Sequence, residues 1–201
     1  MKKSTHQVSR RAWLKAVAGV ALLHSTGVSA HGLLGPVTPA LTLPPLDVTL
    51  HDGRRLPLAQ VLRGRITALQ LMFTGCSSIC PVQGAVFAEL QAQLQRSPPK
   101  AGPAPQLLSI SIDPLGDDAR ALAAWRGRFG AGPGWLAAVP GVSAVDGLLE
   151  ALRGRATGPD RHSAQVFVLD GSGRLVFRCA ELASAEAVAQ VLRQIGGKVG
   201  T

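Results

Sequence analysis

Cys76-Ser77-Ser78-Ile79-Cys80-Pro81 places two thiols with three residues between them. Thiols so spaced can hold a soft metal ion, close into a disulfide, or exchange one with a partner. Residues 66–73, directly ahead of them, are apolar at most positions and read as a strand buried on both faces. Residues 81–94 read as a helix, with Val82, Val86, Phe87, Leu90 and Leu94 on one stripe and Pro81 at a first-turn position that needs no N–H. The pair therefore falls at a strand-to-helix turn. There the unpaired N–H groups and partial positive charge of a helix start favour thiolate over thiol. Cys179, the third cysteine, ends an apolar segment and reads as a small buried residue.

Several elements must position that turn. Asp-Gly inside His51-Asp52-Gly53-Arg54 predicts a hairpin between residues 46–50 and 55–58. A second strand is expected over 106–112, a helix from Asp117 and Asp118 to 129, a short strand over 135–139, and a helix over 143–152 capped by Ser143. Strands over 164–169 and 174–179 flank Asp170-Gly171-Ser172-Gly173, and a last helix covers 184–195. Hairpin, strand, helix, strand, helix, strand, helix, hairpin, helix is the order of an α/β thioredoxin-like fold, a three-layer arrangement with a central mixed sheet and helices on both faces. In that arrangement the loop before the C-terminal hairpin lies against the cysteine turn. His162, in Asp160-Arg161-His162-Ser163, is in that loop. Two thiolates and an imidazole form a soft, three-coordinate set suited to copper, as Cu(I) or Cu(II), whereas zinc takes a fourth ligand that no neighbouring residue type supplies.

The quoted segments, together with Phe73-Thr74-Gly75-Cys76, Ser111-Ile112-Asp113-Pro114 and Val168-Leu169-Asp170-x-x-Gly173, resemble the Sco/SenC family over about residues 41–196. The resemblance implies an exported copper-binding protein that assists assembly of the copper centre of cytochrome c oxidase, or manages the thiols of that centre. It also implies Cys76, Cys80 and His162 as the copper ligands. Cytochrome c oxidase subunit II, another copper-accepting protein, or a thiol partner is then the expected partner. Two departures from the family pattern stand beside the site. Ser77 and Ser78 replace a Pro-Asp pair, and Arg161 stands where an acid commonly precedes the histidine. Fewer acids lower the attraction for Cu(II), and a cation favours thiolates, which tilts the expectation toward Cu(I) or thiol exchange.

The first 30 residues read as a leader, not as part of the domain. Ser9-Arg10-Arg11-Ala12-Trp13-Leu14-Lys15, a short apolar stretch over 16–23 and small residues at Val28-Ser29-Ala30 match a twin-arginine signal peptide. The stretch is shorter than the roughly 20 residues of a comfortable membrane span. Export to the periplasm is expected, with a membrane anchor only if the leader stays uncleaved. An extended lead-in over 31–45 and a domain over 46–201 follow. The five basic residues of the leader (Lys2, Lys3, Arg10, Arg11, Lys15) account for five of the nine formal positive charges, leaving +4. The remaining cations are scattered and not interleaved with aromatics, which excludes a nucleic-acid footprint. A monomer is expected.

The competing reading is an enzyme, a thiol–disulfide oxidoreductase with Cys76 as nucleophile and Cys80 as resolving thiol. Such exchange has no need of His162, whereas copper binding does. His31, at the expected mature terminus, is a second copper candidate but reads more simply as a terminal residue. His51 reads as a solvated turn residue, and Asp113, Asp117 and Asp118 as a strand end and a helix cap.

Overall fold

The described residues open with β1 (Leu33–Thr42), then the hairpin strands β2 (Asp47–Leu50) and β3 (Arg55–Pro57) and the short helix α1 (Leu58–Leu62). There follow β4 (Thr67–Met72), α2 (Ile79–Arg96), β5 (Gln106–Ser111), α3 (Ala119–Arg128), β6 (Trp135–Pro140) and α4 (Val142–Leu152). The chain closes with β7 (Val166–Leu169), β8 (Arg174–Cys179) and α5 (Ala185–Lys198). This computed structural model describes residues 33–98, 103–157 and 161–198, all within one compact unit, His31–Thr201. The expected leader, His31 and Asp160 lie outside the described residues.

One mixed sheet runs β1-β8-β7-β4-β5-β6-β2-β3. β4 is central, parallel to β5 from Thr67↔Gln106 to Met72↔Ser111 and antiparallel to β7. All six of its residues are buried, as coverage on both faces requires. Its one long polar side chain, Gln70, donates to Ser109 Oγ at 2.8 Å, and the same hydroxyl accepts Trp135 Nε1–H at 2.9 Å. That satisfies the Gln70 amide N–H and the indole N–H, whose burial would otherwise cost stability, while Gln70 Oε1 has no hydrogen-bond partner among the described residues.

Alternation along the strands splits the core in two. On one face α2, α3 and α5 bring Phe87, Leu90, Leu122, Trp125, Val188 and Leu192 onto Ala68, Met72, Leu107 and Trp135. On the other, α1 and α4 bring Leu58, Leu62, Leu148, Leu149 and Leu152 onto Leu69, Leu71, Leu108 and Phe167. Each of the buried Leu, Val, Phe and Met side chains contributes about 1.5–3 kcal/mol of transfer free energy. The expected layers are present.

Three elements depart from the sequence expectation. Residues read as an extended lead-in form β1, which pairs with β8 from Leu33↔Cys179 to Thr42↔Arg174, so the sheet begins well before residue 46. Pro36 and Pro39 fit there because the outer side of an edge strand needs no N–H. α4 starts at Val142 with Gly141 in the capping position, so Ser143 lies inside the first turn. α2 starts at Ile79, which places Cys80 within the helix and Cys76 in the turn before it. Among the described residues no helix is long and apolar enough to cross a membrane.

Strand directions divide the sheet into two ends. The C-termini of β4, β5, β6 and β8 and the N-termini of β1, β2 and β7 share one end. The cysteine turn leaves β4 at that end, and the His162 loop enters β7 beside it.

Candidate metal centre

The turn Phe73–Cys76 is held from β5 and α3. Asp117, buried just ahead of α3, accepts the Thr74 amide at 3.0 Å and hydrogen bonds from the Thr74 and Ser111 hydroxyls. Arg128, at the other end of α3, donates to the Thr74 carbonyl at 3.3 Å. Every polar group of Thr74 is thereby engaged two residues before the first thiol. The sequence reading missed Asp117 in this role, because its partners lie 43 and 6 residues away and no local motif joins them. Asp118 is the helix cap that was expected, accepting Ala121 N–H at 2.7 Å.

Within the turn, Cys76 N–H donates to Phe73 O at 3.2 Å, and Cys76 Sγ accepts Cys80 N–H at 3.4 Å. A first-turn helix N–H aimed at sulfur stabilises negative charge there. Cys76 is partly exposed, whereas Cys80 is buried; both are thiols in this structure.

His162 is buried with 2% of its surface exposed, and its ring meets Phe73 edge-on, 6.0 Å between centroids. Its Nδ1 lies 2.9 Å from Ser163 O. A carbonyl only accepts, so Nδ1 carries the proton, and Nε2 presents its lone pair toward Cys80 Sγ, 3.7 Å away. The loop is braced by Ser163 N–H to Gly154 O at 2.8 Å and by a bridge between His162 and Arg155. Gln83, one turn beyond Cys80, ties α2 to the same loop through Nε2–H to Gln165 O at 3.3 Å. Its Oε1 is buried with no hydrogen-bond partner among the described residues.

The predicted ligands thus share one end of the sheet, with Cys80 and His162 in direct contact and Cys76 linked to Cys80 through its N–H. No three His, Cys, Asp or Glu side chains among the described residues are gathered closely enough to enclose an ion. The donor set fits a soft cation: two sulfurs, and an imidazole held in the ligating tautomer by its second nitrogen. Arg161, at φ +56°, is solvent-exposed, so screening weakens the Coulomb pull expected of it. Cys179 lies within the core, where burial pushes its thiol up to about 12 and keeps it protonated. His51 is half-buried, not solvated. Its Nδ1 is 3.4 Å from Ala137 N and O, and burial together with Arg126 lowers its pKa. A cleft of about 340 Å³ lined by Asp47, Arg55, Asp117, Asp118 and Val142 lies toward β6, apart from the thiol–imidazole contact.

The family model SCO1/SenC matches residues 38–196. The chain belongs to the SCO1/SenC family. Solved structures share its fold at low identity. A SCO1/SenC family lipoprotein from Bacillus anthracis is 20% identical with a TM-score of 0.69, covering 82% of this chain and 99% of that one. ScoI of Arabidopsis thaliana, solved with copper bound, is 17% identical with a TM-score of 0.65, covering 77% and 98%. BsSco, a member of the Sco family of cytochrome c oxidase assembly proteins in which a disulfide switch was identified, is 17% identical with a TM-score of 0.66, covering 78% and 94%. Comparison with curated protein sequences finds no match. The thioredoxin-like mixed sheet expected from the order of elements is the fold of these SCO1/SenC structures.

Proposed function

We propose that this chain binds one copper ion through Cys76, Cys80 and His162. It passes the ion to the copper centre of cytochrome c oxidase or another copper protein, after twin-arginine export to the periplasm. The observation that carries the reading is the contact between Cys80 Sγ and His162 Nε2, with the opposite ring nitrogen committed to Ser163 O. A thiol and an imidazole nitrogen in contact are two groups that a soft cation takes as ligands once the thiol gives up its proton. Copper binding therefore releases protons and tightens as pH rises. The copper-bound Arabidopsis ScoI supports the choice of metal. X-ray absorption at the copper edge of the loaded chain tests the ligand set. Two sulfurs and one imidazole nitrogen are expected; an all-sulfur or oxygen-rich shell contradicts it.

Thiol exchange is a second reading, favoured by the Cys80 N–H directed at Cys76 Sγ. Cys76 thiolate would attack a partner disulfide, and Cys80 would then displace the mixed disulfide. The pair gives up two electrons and two protons, which leave with the partner as two thiols. Such a cycle persists without His162, so exchange rates for the His162→Ala variant separate the two readings.

A further inference from the structure

Among the described residues five large apolar side chains are exposed: Leu34, Val82, Leu115, Val142 and Leu182. All five stand at the end of the sheet that carries the cysteine turn. Leu34 is the second residue of β1, Leu182 follows β8, Val82 lies in the first turn of α2 after β4, Leu115 follows β5 and Val142 follows β6. In sheet order, Leu34 and Leu182 lie on one side of His162 and the cysteines, and Leu115 and Val142 on the other. At about 4.8 Å between strands, the row from β1 to β6 spans about 24 Å. Leu115 is 86% exposed, and Leu182 is held at φ +49° while 43% exposed. An exposed leucine in a left-handed conformation is costly on both counts.

We infer that this row is the docking face for a folded partner protein that presents its own sulfur ligands or thiols within an apolar patch. The inference rests on the proposed transfer of copper to a partner protein. Cys80 and His162 are buried, so a partner donor atom reaches them only when the partner's surface seats over this end. The charges around the row are of both signs: Arg128 donates to the Thr74 carbonyl and Arg161 precedes His162, while Glu181 accepts the Ala164 amide and Asp118 caps α3. A protein surface complements such a mixture, whereas an anionic bilayer would favour cations alone. Apolar side chains on both sides of the thiols would, once covered by a partner, exclude water from the site between them.

The test uses the full chain, unchanged and as a Leu115→Ser, Leu182→Asn double variant; Asn tolerates the left-handed backbone at 182. Each is loaded with Cu(I) and mixed with the metal-free soluble copper domain of a cytochrome c oxidase subunit II, or with a small-molecule Cu(I) chelator. The inference predicts equal Cu(I) affinity, equal transfer to the chelator, and transfer to the protein slowed about tenfold or more. Equal protein-transfer rates overturn it, as does no transfer from the unchanged chain. Slowing toward both acceptors overturns it too, since the substitutions would then act on the metal site. Two side measurements expose other occupants. Variant-sensitive binding to phosphatidylglycerol vesicles, or variant-sensitive self-association in sedimentation, overturns the inference when protein transfer is unaffected. If the unchanged chain binds no Cu(I), the copper reading itself has failed, and the docking face is tested by the rate at which each chain reduces the oxidised, disulfide form of the same domain.

Discussion

The two ends of the sheet are built by different rules. At the end away from the cysteines, turns close on themselves. Asp52 accepts the amide and guanidinium of Arg54, and Asp170 accepts Ser172 N–H, Ser172 Oγ–H and the amide and guanidinium of Arg174. Gly53 and Gly173 take the positive φ these turns need. At the other end, positive φ falls on Arg153, Arg161 and Leu182, where glycine would be easier. Local rules govern the far end, while long-range contacts hold the site end in shapes its sequence does not favour. Departures from local consistency gather where chemistry is done.

The largest test of that contrast is Asp117→Asn. The amide keeps the shape but loses the charge that holds three hydrogen bonds, so unfolding stability should fall by about 3 kcal/mol, read from urea midpoints. Alkylation of Cys76 should change in the same variant. An unchanged midpoint and an unchanged Cys76 rate would show that the turn is not held by long-range contacts. Asp170→Asn, at the far end, should cost about 1 kcal/mol and leave Cys76 reactivity untouched.

The pH dependence follows the same division. Burial works to raise the Asp170 pKa but is outweighed by the hydrogen bonds from Ser172 and Arg174, which hold it below its usual 3.8. Its contribution is present above pH 3.8 and is lost as pH falls through the lower folded value. Asp170→Asn should therefore flatten the acid limb of the stability curve. Cys179 acts at the alkaline side: burial raises its pKa from 9.0 to about 12, so its contribution is full below pH 9 and declines as the unfolded thiol ionises. Cys179→Ala should flatten that limb, and in the native chain Cys179 should alkylate far more slowly than Cys76. The smallest effect is expected of Leu115→Ser, whose stability should stay within about 0.5 kcal/mol because the side chain packs on little.

What the sequence showed follows from the same contrast. The two Asp-Gly turns, the buried central strand and the cap at Asp118 depend on neighbours in the chain, and all were legible. The cysteine pair was legible by spacing, and His162 by its place before the C-terminal hairpin. Asp117 was not, because its partner Thr74 is remote in sequence and a buried Asp looks like any cap. β1 was read as a lead-in because its prolines mask strand character that only an edge position permits. The gathering of exposed leucines and valines emerges only from strand directions, since 148 residues separate Leu34 from Leu182.

The most direct test is an anaerobic Cu(I) titration of the reduced chain against a competing chelator, beside its His162→Ala variant. The account predicts one tightly held copper per chain and a marked loss of affinity on removing the imidazole. Weak binding that is indifferent to His162 would contradict it and leave thiol–disulfide exchange as the function of the cysteine pair.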